Sequence, residues 1–241
     1  MEHRFFSREE LAEYLHIRPD DVDDLVRRQE IPFDRMGSRV VFRRPAVEAW
    51  ASRRILGYAP APLHRYHHSS TTRMEGLSGR RAVVSVLLPP ERIAAAAACR
   101  TKPSLIRAMV RMAEATGLLV FAEDLRRSLE ERERQRTTAL AGGVALLHPG
   151  HIEPYVIEDS FLLLARTVHP IPFGSPDGRT TDLFFLICAL EEHMHLHLLA
   201  RLCMICHRTD ALLRLRTAED AMAMHEVLVE CEKEVLSLEP G

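Results

Sequence analysis

The stretch Arg132-Glu133-Arg134-Gln135-Arg136-Thr137-Thr138-Ala139-Leu140-Ala141-Gly142-Gly143-Val144-Ala145-Leu146-Leu147-His148 constrains this chain more than any other. The apolar run Val144 to Leu147 reads as a strand, and it carries an imidazole at its end. Gly142-Gly143 ahead of that strand lets backbone approach closely or take positive φ, where a side chain would clash. Histidine titrates near neutral pH and keeps a free lone pair there, so His148 is a candidate nucleophile toward phosphorus. Arginine supplies the counter-charge, because its planar fork matches phosphate oxygens and stays charged in a folded site. These residue types in this order suit the holding of a phosphoryl group.

The window resembles, without a gap, the phosphorylation motif of the fructose/mannitol-type enzyme IIA domains of the bacterial phosphoenolpyruvate:sugar phosphotransferase system. That family includes the nitrogen-regulatory phosphotransferase, and its motif reads R-E, then T, then G-x-G-I-A-I-P-H. Arg132-Glu133 match the R-E, Thr138 the threonine, Gly142-Gly143 the glycine turn and His148 the phosphoacceptor. Leu147 stands where the family usually has proline, and Pro149 lies on the other side of the histidine. Upstream, Leu87 to Ile93 and Ser104 to Thr116 look like the family's opening strand and first helix. Downstream, Pro170 to Phe173, Asp177-Gly178 and Thr181 to Ile187 resemble its central hairpin and strand. His195-Leu196-His197-Leu198-Leu199 then matches a helix start whose first histidine, in the family, hydrogen-bonds the phosphoryl group. The resemblance therefore implies that His195 and Arg132 stabilise a phosphoryl group on His148, with Thr138 as a further donor. It implies an HPr-type phosphocarrier as donor, and no cofactor or metal.

The N-terminal third reads differently. Ser7-Arg8-Glu9-Glu10 is a capping box that starts a helix through Tyr14, and a second helix is predicted over Asp20 to Gln29. Ile31 to Phe33 and Val40 to Phe42 flank a Gly37-Ser38 turn and read as a hairpin, after which Pro45 starts a helix containing Trp50. This order resembles the excisionase-type, MerR-like helix-turn-helix domains. Glu9-Glu10-Leu11-Ala12-Glu13-Tyr14-Leu15 and Gly37 to Trp50 carry the likeness. Two readings of the second helix compete, because it leads with Asp20, Asp21, Asp23 and Asp24. In one, these acids complement the helix dipole while Arg27, Arg28, Arg35, Arg39, Arg43 and Arg44 grip DNA phosphates. In the other, the acidic helix repels DNA and the domain binds protein.

Three segments follow: a helix-turn-helix domain over 3–57, a linker over 58–81 and an enzyme IIA-like domain over 82–238. The linker is expected to be stiff at Pro60 and Pro62 and loose at Ser69 to Thr72, with His64, His67 and His68 solvated. The expected fold class is α/β in α+β layers, a mixed sheet flanked by helices, with a small N-terminal winged helix-turn-helix domain. With 32 basic and 34 acidic residues, the chain has no global pull toward nucleic acid or anionic membrane. No signal segment opens it and no apolar run approaches the roughly 20 residues of a membrane span, so a cytoplasmic location is expected.

Five cysteines without a secretory signal suggest reduced thiols. Cys203-Met204-Ile205-Cys206-His207 spells a haem-attachment pattern, but it falls in a helical apolar pattern where cysteine acts as a small hydrophobe. His193 and His197 could share a helix face and chelate a metal, yet the phosphoryl-site reading of His148 and His195 is preferred, and His151 reads as a loop residue.

The favoured function is a regulatory phosphorelay in which phosphorylation of His148 is coupled to a DNA-binding domain. The alternatives are a helix-turn-helix adaptor with a non-phosphorylated enzyme IIA-like scaffold, and an enzyme IIA feeding a sugar permease.

Overall fold

The computed structural model describes residues 5–37, 39–57, 62–70, 82–150 and 155–237. The N-terminal unit runs β1 (Phe5–Phe6), α1 (Arg8–Tyr14), α2 (Pro19–Arg27), β2 (Asp34–Met36), β3 (Arg39–Arg43) and α3 (Arg44–Leu56). Ser7 and Glu10 form the predicted capping box, Glu10 N–H donating to Ser7 Oγ at 3.2 Å and Ser7 N–H to Glu10 Oε2 at 2.7 Å. α2 begins one residue earlier than expected, with Pro19 in its first turn where no N–H is needed, and it ends two residues sooner. Gln29 turns the chain there with φ 56°, and Glu30 N–H closes onto Leu25 O.

β3 is the central strand of a three-stranded antiparallel sheet, order β1-β3-β2. The first arm of the wing is Asp34–Met36 rather than Ile31 to Phe33, since Ile31 turns into the core beneath the helices. Ser38 of the predicted turn lies outside the described residues.

A helix over 62–70, α4, occupies part of the predicted linker. Its Leu63, His67 and Ser70 are buried, so His67 is a core residue and not a solvated one. Burial follows from helical spacing, which puts these three residues on one face. The rest of that linker, 58–61 and 71–81, lies outside the described residues, as does His151.

The larger unit comprises α5 (Val84–Leu87), β4 (Ile93–Ala97), α6 (Lys102–Ala115), α7 (Ala122–Gln135), β5 (Ala139–Leu140) and β6 (Val144–Leu147). It continues with β7 (Phe161–Ile171), β8 (Thr181–Cys188), α8 (Glu192–Arg208), α9 (Ala211–Thr217) and α10 (Ala221–Ser237). The opening strand starts only at Ile93. Leu87 ends α5, and Pro90–Arg92 form a 3₁₀ turn, because consecutive prolines lack the N–H groups a ladder needs.

Five strands form one mixed sheet, order β4-β7-β8-β6-β5, with β4 parallel to β7, β6 parallel to β8 and the other pairs antiparallel. Helices cover both faces, which is why β8 reads Leu-Phe-Phe-Leu-Ile-Cys without polar alternation. Leu183, Phe185 and Ile187 join the core shared with α8 and α10. Phe184, Leu186 and Cys188 join the core shared with α6 and α7. β6 divides the same way, Val144 and Leu146 toward α8, Ala145 and Leu147 toward α6. Two residues beyond Leu146, His148 continues the α8-facing register.

No described helix is long and apolar enough to cross a membrane.

Candidate functional site

Three predicted residues meet at the end of β6. Arg132 comes from the last turn of α7, His148 follows β6, and His195 lies in the first turn of α8. The two imidazole centroids are 5.0 Å apart, and Arg132 Nε donates to His148 Nε2 at 3.2 Å. His148 Nδ1 lies 2.8 Å from Leu146 O. A carbonyl only accepts, so Nδ1 carries the proton and Nε2 presents its lone pair toward the guanidinium. Arg132 Nη1 donates to Arg136 O at 2.9 Å, while its buried Nη2 has no partner among the described residues. The arrangement is a neutral nucleophile facing a cation with a spare donor, suited to an electrophilic centre that bears anionic oxygens.

Burial dominates the electrostatics. It pushes His148 well below the usual imidazole range, with His195 and Arg132 adding to the shift. His195 is lowered to about 4, chiefly by burial, with the carboxylate of Glu48 opposing and Arg132 reinforcing. Burial likewise lowers Arg132, with Glu133 opposing the shift and Arg53 of α3 and Arg136 reinforcing it.

One predicted member is engaged elsewhere. Thr138 Oγ1 donates to Glu133 Oε2 at 2.7 Å and its N–H to the same oxygen at 3.0 Å. A hydroxyl has one proton, so Thr138 is committed to Glu133 and is not a donor at His148. Glu133 also accepts from Lys102 Nζ at 2.9 Å, which ties α7 to β5 and α6 and so fixes where Arg132 points.

Gly142 and Gly143 sit at the far end of β6, roughly 17–20 Å along the strand from His148. They build the β5–β6 turn with φ of 90° and 79°, the positive φ that the glycine pair allows. A Cβ on Gly143 would come within 2.7 Å of Arg216 Nη2, in the ion pair of Arg216 with Asp182.

Sequence reasoning missed the contribution of α3. Ser52 Oγ lies 3.3 Å from His195 Nε2, and Glu48 is buried where its charge acts on His195. These positions, four apart, share a helical face beside the apolar stripe of Val47, Ala51 and Ile55. A polar pair next to a core stripe was the available signal. In isolation it reads as the solvated side of a small domain.

The other histidines separate. His193 Nε2 pairs with Glu191 at 2.8 Å, whereas His197 is buried with its Nδ1 3.0 Å from Ser70 Oγ. Cys203 and Cys206 are buried within α8, and burial raises both thiols.

The buried imidazoles predict an acid-sensitive fold. Between pH 6.5 and about 4, unfolded His195 takes a proton that the folded protein refuses, so stability is fully present above pH 6.5 and falls as pH drops. His195 alone should cost about 2 kcal/mol by pH 5, and His148 and His197 shift in the same direction. Denaturant titration at pH 7 and pH 5 measures this. Equal midpoints would mean that water reaches these rings.

The predicted cations of the N-terminal unit also sort themselves. Arg27 pairs with Asp24 and Arg43 with Asp34, while the Arg44 guanidinium lies 4.1 Å from the Phe6 ring centroid. Arg28, Arg35 and Arg39 are exposed and carry no ion pair among the described residues. The acids of α2 are countered from within the domain, Asp20 and Asp23 by Arg8 at 3.0 and 2.7 Å and Asp21 by Arg18 at 3.2 Å.

Comparison with known proteins gives both units a family. Residues 86–231 match the model of the phosphoenolpyruvate-dependent sugar phosphotransferase system, EIIA 2, and residues 5–55 match a helix-turn-helix domain. A nitrogen regulatory protein of Bradyrhizobium diazoefficiens is 35% identical over 148 residues, covering 60% of this chain and 94% of that protein. The fold is similar to nitrogen regulatory protein IIA-Ntr from Neisseria meningitidis, with TM-score 0.55 and 23% identity over 61% of this chain and 99% of that one. IIA mannitol from Escherichia coli superposes with TM-score 0.52 and 17% identity, over 58% of this chain and 97% of that one. With three fifths of its length and its motif order accounted for, this chain belongs to the EIIA 2 family of the phosphoenolpyruvate-dependent sugar phosphotransferase system and carries a helix-turn-helix domain ahead of it.

Proposed function

We propose that this protein is a regulatory phosphoacceptor of the cytoplasm, taking a phosphoryl group on His148 from an HPr-type phosphocarrier and coupling it to DNA binding. The observation that carries the proposal is the Nε2 lone pair of a neutral His148 held against Arg132, whose Nη2 has no partner among the described residues. In the transfer, Nε2 attacks phosphorus, the donor's N–P bond breaks, and the donor imidazole leaves with the electron pair. Nδ1 keeps its proton on Leu146 O throughout. Arg132 compensates the anionic oxygens as they pass, and the neutral His195 ring borders them.

The helix-turn-helix domain gives the switch an output, with Arg28, Arg35 and Arg39 as the cations open to phosphate contact. It also favours regulation over a dedicated role in feeding a sugar permease.

The test is incubation with phosphoenolpyruvate, the general phosphotransferase enzyme and a phosphocarrier, followed by intact mass. One acid-labile phosphoryl group should add to the wild type and none to His148→Ala. A His148→Ala protein that still takes full label would end the assignment, and duplex DNA binding that ignores salt would end the coupling.

A further inference from the structure

We propose that α3 of the helix-turn-helix domain is a lid over the phosphoacceptor, so that His148 is phosphorylated only after α3 lifts, and the phosphorylated chain keeps it lifted. The inference rests on the phosphoacceptor reading and adds its regulation.

Burial carries the first step. His148 is 1% exposed and Arg132 3%, in an arrangement where Ser52 Oγ of α3 lies 3.3 Å from His195 Nε2. A phosphoryl donor in this system is itself a protein. It must bring phosphorus within about 3–3.5 Å of Nε2, in line, and a specific protein interface covers about 800 Å² on each partner. No such approach reaches a buried ring.

Bulk carries the second step. A phosphoryl group adds a phosphorus and three acceptor oxygens to a ring that is 1% exposed, and α3 cannot pack over that group as it packs over the bare imidazole. Closure of α3 and phosphorylation thus oppose each other, and opposition is reciprocal: whatever lifts α3 favours the phosphoryl group, and the phosphoryl group favours a lifted α3. The helix-turn-helix domain is then displaced by the same event that its family partner domain records.

Full-length wild type, Ser52→Glu and Ser52→Tyr distinguish the possibilities, one variant opening the contact by charge and the other by bulk. Diethylpyrocarbonate, which labels accessible neutral imidazoles, reads the lid without any phosphoryl donor, with exposed His169 as internal reference. In wild type, His148 and His195 should label at least about tenfold more slowly than His169, and in both variants the gap should close. Phosphorylation by the phosphocarrier should accelerate by about tenfold in the variants, in proportion to the open fraction. Amide exchange across Arg44–Leu56 should speed up when wild type is phosphorylated. Wild-type His148 that labels as fast as His169, or variants that match wild type in both assays, overturn the lid. Labelling that rises in the variants while no protein accepts phosphate overturns the phosphoacceptor reading and with it the exclusion, leaving only a contact.

Discussion

Arg132→Met is expected to accept a phosphoryl group about 10²–10³-fold more slowly than wild type, the usual loss when one buried donor to developing negative charge is removed. The guanidinium is 3% exposed and donates to the attacking nitrogen itself, so no solvent screening softens the change. Protonation of His148 does not explain such a loss. Burial is the leading cause of its depressed pKa, with Arg132 a lesser one, so the ring stays neutral at pH 7 in the variant. Arg132→Lys keeps the charge without the fork and should fall between the two. Rapid-quench sampling of intact mass gives the rates. Wild-type rates in Arg132→Met would show that charge compensation comes from the donor protein.

Glu232→Ala is expected to cost at least about 3–5 kcal/mol and roughly 10 °C in melting temperature. Glu232 is fully buried on α10 and accepts from Val83, Val84 and Ser85 N–H at 2.9, 2.8 and 2.9 Å and from Ser85 Oγ at 2.7 Å. It also pairs with buried Arg201 at 3.2 Å, and Arg201 Nε in turn meets His67 of α4. Truncation orphans the amides that start α5 and removes the carboxylate opposite a fully buried guanidinium. Arg201→Met should be milder, because Glu232 would keep four other donors. Chemical denaturation of both variants settles the order. A Glu232→Ala protein as stable as wild type would show that the start of α5 is solvated.

How much of this could be read beforehand depended on the range of the interaction concerned. The capping box of α1, the turn at Gly142-Gly143 and the strand leading to His148 rest on neighbours a few residues apart, and all three formed where expected. Consecutive prolines misled the reading upstream, since Leu87 to Ile93 has apolar ends but lacks the amides for a ladder, and the strand waits until Ile93. Thr138 was placed with the site by motif alone. The side chain it meets, Glu133, belongs to the same motif, but only coordinates show the hydroxyl spent on it.

The sequence by itself determined the two families and the meeting of His148 with Arg132, because motif spacing and side-chain chemistry survive without knowledge of contacts. It could not determine the neighbourhood. His67, read as linker, is buried beside Arg201, the α2 acids are countered by Arg8 and Arg18, and Ser52 reaches His195 across 143 positions of chain. Burial, ion pairing and the covering of a site are properties of what packs against a residue. Those partners are distant in sequence, and only the tertiary structure brings them within the few ångströms over which desolvation and hydrogen bonding act.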